Sequence, residues 1–120
     1  MTQKKIYIHT FDPLKENLLD YAMSLKGFSI CLKEEDADIM IIDFKLRDFL
    51  FRRELSIPVI VIGKYSDEDE ILQGIYRYYS DYVLEPFEIS ELEMILDKNL
   101  YRKELKQTLS SFRIENMGYL

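Results

Sequence analysis

ADIMIIDFKLRDFLFRRELSIPVIVIG, residues 37–63, decides how this chain folds. Ile39–Ile42 is apolar throughout, and Ile57–Ile62 is almost wholly apolar and rich in β-branched residues. Runs of this kind read as strands covered on both faces, the habit of parallel sheets. Between them, Leu46, Phe49, Leu50 and Arg53 suggest a helix. It must be short, because Phe44–Ser56 holds that helix and both of its loops.

The same alternation extends outward. Ile6–His9 is a short apolar strand. Asp12 then suits a helix cap and Pro13 the first helical position, where a missing N–H costs nothing. Leu14, Leu18, Tyr21, Ala22 and Leu25 recur at helical spacing until Gly27 stops the helix, and Phe28–Leu32 reads as the second strand. Downstream, Ser66 and Asp69 look like a capping box before a helix bearing Ile71, Leu72, Ile75, Tyr76 and Tyr79. Tyr82–Leu84 is a fifth strand. Ser90 and Glu93 form another expected capping box, opening a long helix through Leu92, Ile95, Leu96 and Leu100 towards Leu105 and Leu109.

Strands alternating with helices give an α/β fold, and five strands in so short a chain suggest the flavodoxin-like doubly wound order 2-1-3-4-5. Only Lys33–Ala37 joins the second strand to the third. Five extended residues reach at most ~18 Å, and a parallel crossover needs at least ~10–12 residues. The second helix is therefore expected to be missing, with the second strand short or displaced. The third helix is expected to be short, and the first, fourth and fifth intact. Residues 1–107 form the expected domain, and 108–120 a C-terminal tail or the start of a linker to an output domain.

Bulk properties narrow the function. The chain has 120 residues with 48% hydrophobic and 32% charged, which suits one globular domain. Its net charge of −6 disfavours a nucleic-acid surface over the whole domain. A single cysteine, Cys31, forms no internal disulfide, so a reducing, cytoplasmic setting is expected. The N-terminus lacks the features of a signal peptide, and no apolar run reaches the ~18 residues of a membrane span. His9 and Cys31 read as core strand residues, no metal cluster or cofactor motif is evident, and Asp67–Glu70 reads as complementing a helix dipole.

In doubly wound sheets ligands sit beyond the carboxyl ends of the strands. That rule selects Thr10, Phe11, Asp12, Asp43, Gly63, Lys64 and Glu85. Around them, KKIYIHTFDP, ADIMIID, IPVIVIG and SDYVLEPFE fall in order across about residues 4–97 and resemble the receiver domains of two-component response regulators, the CheY-like family. The resemblance implies a phosphoacceptor at Asp43, a switch aromatic at Tyr82, and a dimer or output face made by the fourth helix, fifth strand and fifth helix.

The departures point to an atypical, pseudo-receiver form. Thr10 and Phe11 stand where the family has two magnesium-binding carboxylates, and Asp12 is expected to be occupied as the cap. Gly63 stands where the family has a serine or threonine, and Glu85 where it has the phosphoryl-pairing lysine. Lys45 and Lys64 are the nearby lysines in sequence. If Asp43 and Glu85 face each other, they are expected to share a proton as a structural lock. Asp43 thus reads either as a phosphoacceptor or, the favoured reading, as a strand-end carboxylate that bonds backbone N–H groups.

The expected function is a non-enzymatic signalling module acting by protein contact or dimerisation without conventional phosphorylation, with transcription among its outputs. Tyr78, Tyr79, Tyr82 and Phe87 mark the expected contact face, since tyrosine is enriched in interfaces. Nucleic acid is expected only through a separate output domain, although Arg102, Lys103, Lys106 and Arg113 make the last helix locally basic. The alternative is a phosphoaccepting receiver that uses Asp43 with a non-standard metal site.

Overall fold

The computed structural model describes residues 3–51 and 56–116. In chain order the elements are β1 (Lys5–His9), α1 (Pro13–Leu25), β2 (Ser29–Ile30), β3 (Ile39–Asp43), α2 (Asp48–Phe51), β4 (Val59–Lys64), α3 (Glu68–Gly74), β5 (Asp81–Glu85) and α4 (Ile89–Asn116). The five strands are parallel in the order β2-β1-β3-β4-β5. Every residue of β3 is buried, as its unbroken apolar run requires of the central strand.

Side chains alternate across the sheet, so each strand feeds two cores. Ile6, Ile8, Ile39, Ile41, Ile60, Ile62 and Val83 pack on one face against Leu19 and Met23 of α1 and Leu92, Leu96 and Leu100 of α4. Met40, Ile42, Val59 and Val61 pack on the other face with Phe44, Leu50, Ile71 and Tyr79. The register sets Asp43 opposite Ile62 and Lys64 opposite Glu85, which brings the carboxyl ends of β3, β4 and β5 to one edge of the sheet.

The truncations expected from chain length are present. Only a 3-10 turn, Glu34–Asp36, joins β2 to β3, and β2 has two residues. Asp38 closes this short path by accepting the Lys5 N–H on Oδ2 at 2.8 Å. The third helix of the sequence reading is α2, four residues long before it meets residues 52–55, which lie outside the described ones. Asp12 caps α1, taking the Leu14 N–H at 2.9 Å, and Gly27 ends it at φ +95, a conformation that favours glycine.

Three local expectations need correction. The helix expected to carry Ile75, Tyr76 and Tyr79 stops at Gly74. The Tyr79 hydroxyl donates to the Ile71 carbonyl, the group that Ile75 N–H would take in a continued helix. Tyr76 then reverses the chain at φ +67, its N–H donating to the Tyr79 carbonyl at 2.8 Å. The Ser66/Asp69 box is absent, since Asp67 accepts the Lys64 N–H at 3.0 Å instead. Ser90 lies inside α4 rather than capping it, and the Glu88 carbonyl receives the N–H groups of Glu91 and Leu92.

α4 continues without a break through Thr108 to Asn116. It is tied to β5 by Asp81, which accepts from Lys98 Nζ at 2.8 Å and from the Asn99 amide at 3.2 Å. Among the described residues no helix is long and apolar enough to cross a membrane.

Two measurements test these ties. A Cβ at Gly74 meets Tyr79 ring and hydroxyl atoms at 2.5–2.7 Å. Gly74→Ala is therefore expected to destabilise by about 1–3 kcal/mol in urea unfolding through overpacking, although alanine is the better helix former. Burial opposes the Asp81 charge, but Lys98, the Tyr82 N–H and Asn99 together hold its carboxyl below the ordinary value. A lowered folded pKa gives stability that is present above the unfolded pKa of ~3.9 and lost as pH falls through the folded one. Stability should thus fall less steeply for Asp81→Asn than for the wild type between about pH 5 and about pH 3.

Candidate functional site

The first turn of α1 lies over the carboxyl ends of β3, β4 and β5, around a cleft of about 240 Å³. Its walls include Phe11, Lys15, Asp43, Gly63, Lys64 and Glu85. Asp43 is buried, 5% exposed, at the end of the central strand. Its Oδ2 accepts the Phe11 N–H at 2.7 Å, and its Oδ1 accepts from the ammonium of Lys15. The same ammonium donates to Glu85 Oε1 at 2.6 Å.

Asp43 and Glu85 are therefore bridged by a cation. The proton that the sequence reading placed between them is not needed, because Lys15 supplies the positive charge. Burial works against the charged form of Lys15, but its hydrogen bonds to Asp43 and Glu85, and their fields, hold its pKa above the ordinary lysine value. Sequence reasoning passed over Lys15 and weighed Lys45 and Lys64. Lys45 instead lies over the Phe11 ring, 5.5 Å from its centroid, and Lys64 is exposed. The available signal was position: Lys15 is three residues beyond the Asp12 cap, on the turn that faces the strand ends.

The remaining residues at the strand ends offer few free oxygen ligands. Thr10 donates from its hydroxyl to the Asp12 carbonyl at 3.1 Å, and Phe11 is exposed. Asp12 Oδ1 is engaged as the helix cap. A Cβ at Gly63 falls 2.4 Å from Ile71 Cδ1, so a serine or threonine side chain there requires Ile71 to move. Magnesium needs several oxygen ligands. Here Asp12 caps a helix, Asp43 is held by an ammonium and a backbone N–H, and Phe11 offers no oxygen from its side chain. These residues do not fit that ion, and among the described residues no cluster of three His, Cys, Asp or Glu is placed to hold a metal.

The aromatic group divides. Tyr79 is buried in the core beside Ile71, and Phe87 is half-buried, packed against the core on the opposite face of the sheet. Tyr82 is half-buried, and its hydroxyl donates to Glu68 Oε2 at 2.9 Å. That carboxylate holds the phenol above its ordinary pKa. Tyr76 and Tyr78 are exposed, with the Arg77 guanidinium 5.2 Å from the Tyr78 ring centroid. His9 stacks on Tyr7 at 6.2 Å, and burial pushes the half-buried Cys31 thiol up.

The topology agrees with solved receivers. The fold is that of a CheY-like receiver domain. The receiver domain protein from Clostridium thermocellum superposes with a TM-score of 0.76 at 15% identity, covering 85% of this chain and 98% of that one. The curated relatives are response regulators. The probable C4-dicarboxylate response regulator DctR of Bacillus subtilis is 24% identical over 92% of this chain. The transcriptional regulatory protein KdpE of Staphylococcus aureus is 27% identical over 75% of it. This receiver-like chain spans 60% and 47% of the lengths of those two proteins. No family model matches it.

Removing the cation isolates two acids, one of them buried. Breaking a buried pair typically costs 3–5 kcal/mol, and Glu85 is partly exposed, so Lys15→Met is expected to destabilise by about 2–3 kcal/mol. Lys15→Arg should recover part of that loss in the same urea titration.

Proposed function

We propose that this chain is a receiver-type signalling module that acts by protein contact or dimerisation, in one pocket state, without conventional phosphorylation. The observation that carries this reading is the Lys15 ammonium seated on Asp43 and Glu85. A phosphoryl group on Asp43 brings about two negative charges. Its transfer depends on positioning and on positive charge around the equatorial oxygens. Here Thr10 and Phe11 offer no carboxylate, Glu85 adds a negative charge, and the ammonium nearest Asp43 is engaged by both acids, while Lys45 and Lys64 stand exposed at the cleft's edge.

The contact surface in this reading is the face of α3, β5 and α4. Tyr76 and Tyr78, before β5, and Met94 and Tyr101, on α4, are exposed. The helical stretch beyond residue 107 serves as the lead to an output element, with transcription among the outputs that the relatives' names suggest. A cytoplasmic setting belongs to the same proposal.

A second reading keeps Asp43 as a phosphoacceptor. What favours it is the position of Lys15, which supplies from α1 the cation that the family places on the fifth strand. Intact-protein mass spectrometry after incubation with acetyl phosphate and magnesium decides between the two. The proposed module gives no phosphoryl adduct on the folded wild type. An adduct that disappears in Asp43→Asn would establish the second reading.

A further inference from the structure

α4 is longer than the sheet it covers. Its buried side chains are Leu92, Leu96, Asn99 and Leu100. Beyond them the helix runs from Tyr101 to Asn116, about 24 Å at 1.5 Å per residue. Positions 101–109 are exposed except for half-buried Lys103. A free helix of that length is marginal in water, so a second helix laid along it stabilises it.

The side that a second helix would meet is apolar. Met94, Tyr101, Leu105 and Leu109 are 72%, 65%, 42% and 50% exposed. At 3.6 residues per turn they centre roughly 170° around α4 from the buried stripe. Met94, Tyr101 and Thr108 recur with the heptad period, and Lys98 and Leu105 fall between them with the same period. This is the d and a pattern of a two-stranded coil, with Leu109 beside it. The Lys98 ammonium is drawn off to Asp81 at 2.8 Å, so its aliphatic stem is what the line presents.

Charges along the same line name the occupant. Asp97 and Glu104 follow one side of it, at g positions, and Arg102 the other, at an e position. Glu104 is matched by Lys4 at 2.6 Å. Among the described residues Asp97 and Arg102 have no ion-pair partner, and Glu93 repels the Asp97 charge. In a parallel pair each g residue meets the next e residue of the other helix. Asp97 of each copy then meets Arg102 of the other, twice by symmetry. An antiparallel pair sets g against g and e against e, which brings like charges together. The line therefore complements itself in one orientation.

We propose that the outer side of α4 pairs with α4 of a second copy, parallel and in register about a two-fold axis, with Asp97 and Arg102 setting the orientation. Such an interface is isologous and closes as a dimer. The four apolar side chains expose roughly 450 Å², about half of what each partner buries in a standard interface, so the pairing is weak. The inference rests on the contact reading above and gives it one occupant, whether or not Asp43 accepts phosphate.

Light scattering and sedimentation of the full chain over about 5–200 μM should show a monomer–dimer equilibrium in the tens of micromolar. Tyr101→Glu/Leu105→Glu should weaken it at least about tenfold without unfolding the domain, since both side chains are exposed. Asp97→Lys should weaken it about threefold or more, and Asp97→Lys/Arg102→Glu should recover the loss, which a merely structural role for either residue would not produce. On a Cys31→Ser background, Met94→Cys and Thr108→Cys should each form a disulfide dimer with itself on oxidation, whereas an antiparallel pair can link at most one of them. A monomer at 200 μM, no recovery in the charge exchange, or a self-link at only one of the two cysteines would overturn the pairing. A dimer broken by Tyr76→Glu/Tyr78→Glu and untouched by Tyr101→Glu/Leu105→Glu would overturn it too, while keeping the contact reading.

Discussion

One ammonium group joins three elements that are far apart in sequence. Lys15 rises from the first turn of α1 and reaches Asp43 at the end of β3 and Glu85 at the end of β5. Each acid alone is an awkward group at the buried edge of a parallel sheet, where desolvation penalises an uncompensated charge. The lysine compensates both, and the Phe11 N–H takes the second oxygen of Asp43. With that oxygen satisfied, the turn after β1 is fixed over the sheet and the cleft has a set shape. Glu85 on β5 and Lys15 on α1 thus form one charge pair that closes the edge of the sheet beside Asp43.

A second chain of contacts runs through the neighbouring side of the cleft. Gly63 leaves a space that Ile71 Cδ1 fills. The carbonyl of Ile71 is in turn taken by the Tyr79 hydroxyl, and the Tyr79 ring covers Gly74 so closely that no Cβ fits there. α3 ends at that point, and the chain turns back through Tyr76. Just beyond, Glu68 holds the hydroxyl of Tyr82. The absence of a side chain at Gly63, the short α3 and the tethered Tyr82 therefore belong to one packing arrangement. Its parts are close-packed, so a change at one is felt at the next.

Economy of chain has left surface uncovered elsewhere. A 3-10 turn replaces the crossover helix between β2 and β3, and α2 is short. The two longest helices, α1 and α4, share one face of the sheet and bury one stripe each. Both keep exposed apolar residues on another side: Leu14, Leu18, Tyr21 and Leu25 on α1, and Met94, Tyr101, Leu105 and Leu109 on α4. Contiguous apolar surface of this extent is characteristic of proteins that work by contact.

The sheet order was legible in the chain because each strand is a short apolar run punctuated by caps and turn residues, and because five residues cannot span a crossover helix. The carboxyl-end rule likewise found the pocket walls, since topology fixes where strand ends gather. Local pattern determined those features. It did not determine which side of α1 is buried, because Leu14, Leu18, Tyr21 and Leu25 keep the same helical period as the face that packs. Nor did it end α3 at Gly74, where a side chain eight residues beyond the Ile71 carbonyl claims the hydrogen bond. Lys15 shows the limit most plainly. A lysine on a helix turn is an ordinary solvated residue until folding places it 2.6 Å from a carboxylate seventy positions away, and only the tertiary structure decides that.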